Sequence, residues 1–199
     1  MTQGKVTPRS SFDRKAGPGA RSPRVLLRAP RSDDSVELVT LVRSSRSLHR
    51  PWVNPPENRA AFQKFLRRSR KDAVCTLLAV RREDGAIVGA FTLSQIFLGN
   101  FRSAYLGYWV GAPHRKQGYM TEGMRLLLQH TFRTLKLHRV EANVLPGNVA
   151  SRALLRRSGF RKEGFSPRYL KIAGRWRDHE RWAITAEDFR PLRRGDRVR

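Results

Sequence analysis

The amino-acid sequence predicts an α+β domain built on a mostly antiparallel sheet. Of the 199 residues, 39% are hydrophobic, which is enough for a hydrophobic core in a chain of this length. Short apolar runs rich in β-branched residues are joined by glycine-containing turns, a pattern typical of antiparallel strands. Other segments repeat their apolar residues every three to four positions, as amphipathic helices do. In chain order the predicted elements are β-α-α-β-β-β-α-β-α-β-β.

The first elements follow a tail. Residues 1–23 are rich in glycine, proline and arginine, and they predict a flexible basic tail. After a short strand at about 24–30, we expect Asp33 and Asp34 to cap a helix over 35–47.

The middle of the chain predicts one helix and three consecutive strands. The helix covers 57–70 and has its apolar residues on one side. The strands cover 74–82, 86–96 and 104–110, and an Asp-Gly turn at Gly85 joins the first two. These three strands are expected to form an antiparallel meander.

The remaining elements begin with a strongly periodic helix over 118–133. Its apolar residues recur four, seven, eight and twelve positions after Met120. A strand, a helix ended by a glycine, and two strands of a hairpin are then predicted at 139–145, 149–158, 163–172 and 175–184. Residues 190–199 predict a second basic tail, so the folded domain is placed at 24–189.

The chain is strongly basic, and its 41 Lys and Arg against 16 Asp and Glu give a net charge of +25. Nucleic acid is the obvious partner for such a protein. A single cysteine, Cys75, excludes an internal disulfide and a thiolate zinc site, so a reducing, cytoplasmic compartment is expected. No apolar run reaches the roughly 18 residues of a membrane span, so we expect no contact with a membrane. No metal site is expected.

The segment VGAPHRKQGYMT is the most informative, because it joins the strand at 104–110 to the helix at 118–133. The first N–H groups of a helix lack intrahelical partners and lie at the positive end of its dipole, so they bind phosphate readily. Gly118 opens this helix, and Arg115 and Lys116 add charge for phosphate oxygens. The segment therefore predicts a phosphate site, while an ordinary solvated loop stays an alternative. The glycines of a nucleotide-binding P-loop are missing.

Two stretches of the chain together resemble a known family. The loop matches the pattern Arg/Gln-x-x-Gly-x-Gly/Ala at Arg115, Gly118 and Met120, with methionine in place of the small last residue. Residues 139–160 resemble the second signature of the GNAT acyl-CoA N-acyltransferases. The segments EGF, YL and WRDH further resemble the RimJ/RimL branch, the ribosomal-protein-alanine N-acetyltransferases. The resemblance covers about 25–186.

This resemblance implies a fold and a co-substrate. The fold has α/β/α layers, in which helices flank a mixed, mostly antiparallel sheet that is splayed between the strands at 104–110 and 139–145. Acetyl-CoA is implied to lie in this opening, with its pantetheine paired to backbone near Trp109 and Val110. Further residues are implied to hold its phosphates and its arm: Arg115, Lys116, Gln117, Gly118, Tyr119, Met120, Thr121 and Asn148.

Acetyl transfer needs a neutral amine and a proton for the departing thiolate. Asn143 and Leu155 stand where many family members carry a glutamate and a tyrosine, so the usual base and acid are absent. Ser151 is therefore the preferred proton donor, and Asn143 can orient a water. Tyr108 is expected to be core or pocket wall. The remaining candidates for the base are Asp178, His179 and Glu141.

The function implied by the resemblance is acetylation of the N-terminal amine of a ribosomal protein, with alanine the expected first residue. The excess charge is then expected to hold the enzyme near ribosomal RNA. Two alternatives stay open: a GNAT acetyltransferase of a small-molecule amine, and a basic RNA- or ribosome-binding module. A polycationic acceptor is disfavoured because the domain would repel it. The absence of an RNA-recognition motif counts against the binding module.

Overall fold

The structure is a computed structural model that describes residues 23–190. The strands are β1 (Val25–Arg28), β2 (Val74–Arg81), β3 (Ile87–Phe97), β4 (Ser103–Val110), β5 (Arg139–Val144), β6 (Arg161–Ile172) and β7 (Arg175–Thr185). The helices are α1 (Ser35–Ser44), α2 (Arg46–His49), α3 (Arg59–Arg68), α4 (Tyr119–Arg133) and α5 (Val149–Arg157). Within this range no helix is both long and apolar enough to cross a membrane. The tails predicted at 1–23 and 190–199 lie, except for Pro23 and Arg190, outside the described residues.

The seven strands form one sheet in the order β1-β2-β3-β4-β5-β7-β6. Neighbouring strands pair antiparallel, except that β4 and β5 are parallel. The predicted meander of β2, β3 and β4 is confirmed, as is the hairpin of β6 and β7. Its two-residue turn holds Ala173 and Gly174 at φ +48° and +80°, the left-handed backbone that suits a tight hairpin.

Helices cover both faces of this sheet. On one face α1 and α3 pack against Leu78 and Val80 of β2, and on the other α4 and α5 share a core with Leu77 and Ala79. Alternate residues of β2 therefore enter two different cores, which explains why nearly the whole strand is apolar and buried. The three layers confirm the predicted α/β/α class.

One predicted helix, over 35–47, is divided in two. Ser45 separates α1 from α2, and its hydroxyl donates to the carbonyl of Leu41 at 2.6 Å. The same oxygen accepts the N–H of Ala112 at 2.8 Å, so the break ties the end of α1 to the loop after β4. A long-range contact of this kind leaves no mark in the local apolar pattern.

The predicted cap of α1 is also different. Asp34 precedes the helix but makes no side-chain cap. Its carboxylate accepts two hydrogen bonds from Arg28, at 2.5 and 2.8 Å, and the N–H of Arg31 at 2.7 Å. The buried carboxylate therefore fixes the end of β1 and the turn that follows it.

Candidate active site

A cleft opens where β4 and β5 separate. The two strands pair only through Ser103, Ala104 and Tyr105 of β4, and β5 pairs with β7 along its other edge. Beyond Tyr105 the strands diverge, and a cavity of about 890 Å³ lies between them. The splay implied by the sequence resemblance is thus present, and its volume suits a cofactor-sized ligand.

One edge of β4 presents backbone groups to this cleft. On the β3 side, the N–H of Gly111 donates to the carbonyl of Val88 at 2.8 Å. Because hydrogen bonding alternates along an antiparallel pair, Trp109 directs its backbone groups toward β3, whereas Tyr108 and Val110 direct theirs into the cleft. An extended pantetheine arm can pair with such an edge as an added strand does. Of the two residues predicted for this role, Val110 has the suitable backbone orientation.

The start of α4 has the features of a phosphate site. Gly118 precedes the helix with a left-handed backbone at φ +83°, which favours glycine. The N–H groups of Thr121 and Glu122 both donate to the carbonyl of Gly118, at 3.0 and 3.1 Å. The preceding N–H groups of Tyr119 and Met120 therefore have no partner within the helix. Together with the helix dipole they can receive a pyrophosphate.

Ten of the twelve predicted site residues line the cavity: Trp109, Val110, Arg115, Lys116, Gly118, Met120, Thr121, Asn143, Asn148 and Ser151. The side chains of the other two point elsewhere. The amide of Gln117 donates to the carbonyl of Pro113 at 2.6 Å, and the ring of Tyr119 is buried beside His114. The role expected of Gln117 and Tyr119 uses their backbone N–H groups, and it stays a prediction.

Arg24, the residue before β1, lies over this loop although no sequence motif marks it. Its Nη2 donates to the carbonyl of Gln117 at 2.8 Å, and its Nε donates to the carboxylate of Glu122 at 2.7 Å. The guanidinium also lies 4.7 Å from the centre of the Tyr119 ring. A Cβ added to Gly118 would stand 3.0 Å from Nη2, so the side chain covers the helix start directly. Arg24 thus fixes the loop and adds a cation to the cavity wall.

Two hydroxyl groups meet at the end of the cavity where α5 begins. The Oη of Tyr108 and the Oγ of Ser151 lie 2.5 Å apart. Asn148 caps α5, since its Oδ1 accepts the N–H of Ser151 at 3.0 Å. Burial raises the pKa of Tyr108 to about 12, so its phenol keeps its proton at neutral pH. Tyr108 therefore forms a proton-sharing pair with Ser151, beyond the wall role expected from the sequence.

The opposite part of the cavity has an apolar and aromatic wall. Four residues of α2 and the segment after it line this part: Leu48, His49, Trp52 and Val53. The Nε2 of His49 lies 2.9 Å from the carbonyl oxygen of Val110, and its ring meets that of Trp109 edge-on. Burial lowers the pKa of His49, which favours the neutral ring with its proton on Nε2. The side chain of Trp52 extends to the loop between β5 and α5. A Cβ added to Gly147 in that loop would lie 3.3 Å from the Trp52 ring.

The charge of the cavity wall is entirely positive among residues 23–190. Four cations line it: Arg24, Arg115, Lys116 and Arg157. No aspartate or glutamate of the described chain joins them, and no group of His, Cys, Asp and Glu within the same range is placed to hold a metal. Such a cavity suits an anionic ligand.

The three candidates for the base lie outside this wall. Glu141 forms an ion pair with Arg139 at 3.0 Å. Asp178 accepts a backbone N–H at 2.7 Å, and the Nδ1 of His179 lies 2.9 Å from a backbone carbonyl. These contacts tie all three to β5 and the β6–β7 hairpin, so the structure does not bring them to Ser151.

Comparison with known proteins points to one family. The model of the acetyltransferase (GNAT) domain matches residues 24–161. A probable N-acetyltransferase of Bacillus subtilis, YjcK, is 36% identical over 130 residues, which is 65% of this chain and 72% of that protein. The [ribosomal protein uS5]-alanine N-acetyltransferase of Escherichia coli is 39% identical over 111 residues, 56% of this chain and 57% of the other.

A solved structure shows the same similarity in three dimensions. Mycobacterium smegmatis RimJ in complex with CoA-disulfide superimposes with a TM-score of 0.77 at 32% sequence identity. The match covers 84% of this chain and 86% of that one. The fold is therefore shared over nearly the whole of the described domain, including both strands that border the cleft.

Proposed function

Because the chain belongs to the GNAT acetyltransferase family and is an acetyl-CoA-dependent N-acetyltransferase, we propose that its acceptor is the N-terminal amine of a ribosomal protein. Alanine is the expected first residue, as in the name of the Escherichia coli relative. The observation that carries the choice of amine is the cavity wall, in which no carboxylate stands among residues 23–190. A cytoplasmic location is part of this proposal.

The electrostatics of the wall favour an amine of low pKa. An N-terminal amine has a pKa of about 7.7–8.0, whereas the lysine amine has one of about 10.4. At neutral pH a substantial fraction of the first is uncharged, and almost none of the second. No carboxylate of the described residues lines the wall to stabilise an ammonium group. Without a carboxylate to take up the proton, the N-terminal amine is the better acceptor.

The lack of a carboxylate in the wall also argues against a polyamine as the acceptor. A molecule with several ammonium groups would enter a wall that offers it no counter-charge among the described residues. A small neutral amine lacks this disadvantage, but no feature of the cavity favours it over a peptide. The apolar wall at Trp52 and Trp109 suits a short uncharged side chain next to the reacting amine.

At the reacting end, the chain's own groups manage the protons. Acetyl-CoA supplies the acetyl group as a thioester whose sulfur leaves as a thiolate. The Ser151 hydroxyl can protonate this sulfur, and Tyr108, 2.5 Å away, can return a proton to the serine oxygen. The proton that the amine releases to water balances the one that Tyr108 gives up, so the pair is restored through solvent. The amide of Asn143 lines the same cavity and can orient a water that removes the proton of the amine.

A matched pair of peptides tests the proposal. One peptide has a free N-terminal alanine and no lysine, and the other has a blocked N-terminus and a single internal lysine. We expect acetylation of the first at least about a hundredfold faster at pH 7, since the amines differ by more than two units in pKa. The rate should rise with pH toward 8 as the N-terminal amine loses its proton. Equal or faster acetylation of the lysine peptide would contradict the proposal.

A further inference from the structure

Helix α3 and the turn after it present a continuous basic surface, the α3 basic face. It consists of Arg59, Lys64, Arg67, Arg68, Arg70 and Lys71, all exposed. No acidic residue occurs between Asn58 and Lys71. Phe62 and Leu66 are buried on the opposite side of the helix, so packing against the sheet directs the cations outward.

The charge of this face is not neutralised within the described chain. Ion pairs elsewhere in residues 23–190 use Arg24 and cations of β1, β2, β5, β6 and α5, but none of the six side chains of the face takes part in one. The pair nearest in sequence joins Arg46 to Glu57, before α3 begins. The six side chains therefore present a positive potential to solvent, and Asp72, directly after Lys71, is the carboxylate that follows them in the sequence.

The arrangement along the helix works against the stability of α3. Lys64 lies three and four residues before Arg67 and Arg68 on the same helix. Like charges at these spacings repel each other, typically by about 0.2–0.5 kcal/mol per pair. The helix dipole favours cations in the last turn, which offsets part of this repulsion for Arg67 and Arg68. A bound anion would remove the rest.

The position of the face connects it to the cavity. Trp52 and Val53 form part of the apolar and aromatic wall of the cavity. Helix α3 begins at Arg59, six residues after Val53. A large partner on α3 would therefore lie beside the segment that leads into the cavity. Such a partner could present the end of an attached polypeptide to the apolar and aromatic wall of the cavity.

We propose that the α3 basic face binds the phosphate backbone of ribosomal RNA. That the RNA is ribosomal rests on the proposed function. Neighbouring side chains on one helix face stand about 5–6 Å apart, a spacing suited to successive phosphates. Arginine, which makes up four of the six residues, binds phosphate oxygens in pairs. The face holds no aromatic side chain for stacking on bases, so it reads the backbone and not the sequence.

The test compares two full-length variants of equal charge. The first is K64Q/R67Q/R68Q/K71Q, on the face. The control is R133Q/K171Q/R175Q/R190Q, which removes four exposed cations from α4, the β6–β7 hairpin and the end of the domain. The probe is a labelled RNA duplex, titrated between about 50 and 200 mM salt.

For the face variant we expect about tenfold weaker binding at low salt, and a log–log salt slope reduced by about 3. The control should lose less than about one unit of slope. Equal losses in the two variants, or no binding of RNA by the wild type, would overturn the proposal. The proposal would also be overturned if the face variant bound RNA as tightly as the wild type but bound nuclease-treated ribosomal protein more weakly. The face would then be a surface for acidic protein.

Acetylation of a free alanine peptide separates this proposal from the proposed function. Both variants should bind acetyl-CoA and modify the peptide at the wild-type rate, because neither changes a residue of the cavity. A protein that binds the duplex through α3 but acetylates no ribosomal N-terminus would refute the function and leave the RNA surface standing. A protein that acetylates a ribosomal N-terminus but does not bind the duplex through α3 would refute the RNA surface alone.

Discussion

At the scale of single residues, the hydroxyls of Tyr108 and Ser151 mark the end of the cavity where we expect acetyl transfer to take place. Their 2.5 Å contact joins β4 to the first turn of α5. The buried phenol is protonated at neutral pH, with a pKa of about 12, and we expect it to pass a proton to the serine oxygen and to regain one from solvent in each turnover. Asn148 fixes the position of Ser151 through its backbone N–H.

We predict that Ser151→Ala lowers kcat by about a hundredfold while the KM for acetyl-CoA stays near the wild-type value. A positioned proton donor contributes on that order or more, and its loss acts on the chemical step. Tyr108→Phe should have a smaller effect, because Ser151 keeps its own proton. Steady-state kinetics measure both variants, with the exposed neighbour Val149→Ala as control. Wild-type kcat in Ser151→Ala would show that another group protonates the thiolate.

Arg24 lines the cavity at the start of α4, so we expect it to act in binding the co-substrate and not in the chemical step. We predict that Arg24→Gln raises the KM for acetyl-CoA about five- to tenfold with little change in kcat, since a charge-assisted contact at the loop is lost. Arg24→Lys should restore part of the affinity through its charge. Arg133→Gln, at the far end of α4, is the matched control. An unchanged KM in Arg24→Gln would mean that the residue only ties β1 to α4.

At the scale of elements, the backbone edge of β4 depends on how closely β3 approaches it. Gly89 lies opposite Val110, and a Cβ there would stand 2.2 Å from the carbonyl oxygen of Trp109. That oxygen belongs to the backbone of the strand and cannot rotate away. A Cβ added to Gly107 of β4 would meet no other atom within 4 Å.

Gly89→Ala should therefore lower the free energy of unfolding by about 2–4 kcal/mol, since β3 and β4 must separate to admit the methyl group. It should also weaken acetyl-CoA binding, because the displaced strand carries the cleft edge. Gly107→Ala is the control and should change stability by less than about 1 kcal/mol. Denaturant unfolding measures both, and equal losses would refute the steric account.

Helix α4 contains a histidine that makes folding depend on pH. His130 is buried, and burial lowers its pKa to about 4. Its unfolded pKa is about 6.5, so between these values the unfolded chain binds more protons and stability falls as the pH falls. We predict that the wild type loses about 1–2 kcal/mol more stability than His130→Gln between pH 7 and pH 5. Parallel pH profiles of the two proteins would contradict this.

The elements themselves could be predicted because their signals are local. Met124, Leu127 and Leu128 mark α4 by their spacing, and all three are fully buried. The break at Ser45 could not, because it depends on Ala112, a residue 67 positions away. Arg24 and the Tyr108–Ser151 pair were missed for the same reason, since their contacts span 98 and 43 positions. The spacing of apolar residues predicts which side of a helix or strand is buried. It does not predict which distant residue a side chain will contact.

At the scale of the whole molecule, the positive charge serves different places for different reasons. A few cations line the cavity of an enzyme that uses an anionic co-substrate. Others are neutralised in ion pairs, as Arg139 is by Glu141 and Glu163. The six cations of the α3 basic face take part in no ion pair among the described residues. The predictions of family, fold and acetyl-CoA are confirmed, while the roles of single site residues stay predictions.

The most direct measurement of the central claim is mass spectrometry of ribosomal-protein N-termini from cells with and without this protein. The account predicts that one ribosomal protein carries an N-terminal acetyl group only when the enzyme is present. Purified enzyme and acetyl-CoA should restore that group on ribosomes from the cells that lack it. Identical N-termini in the two cell types, with no acetyl group added in vitro, would contradict the claim that a ribosomal protein is the acceptor.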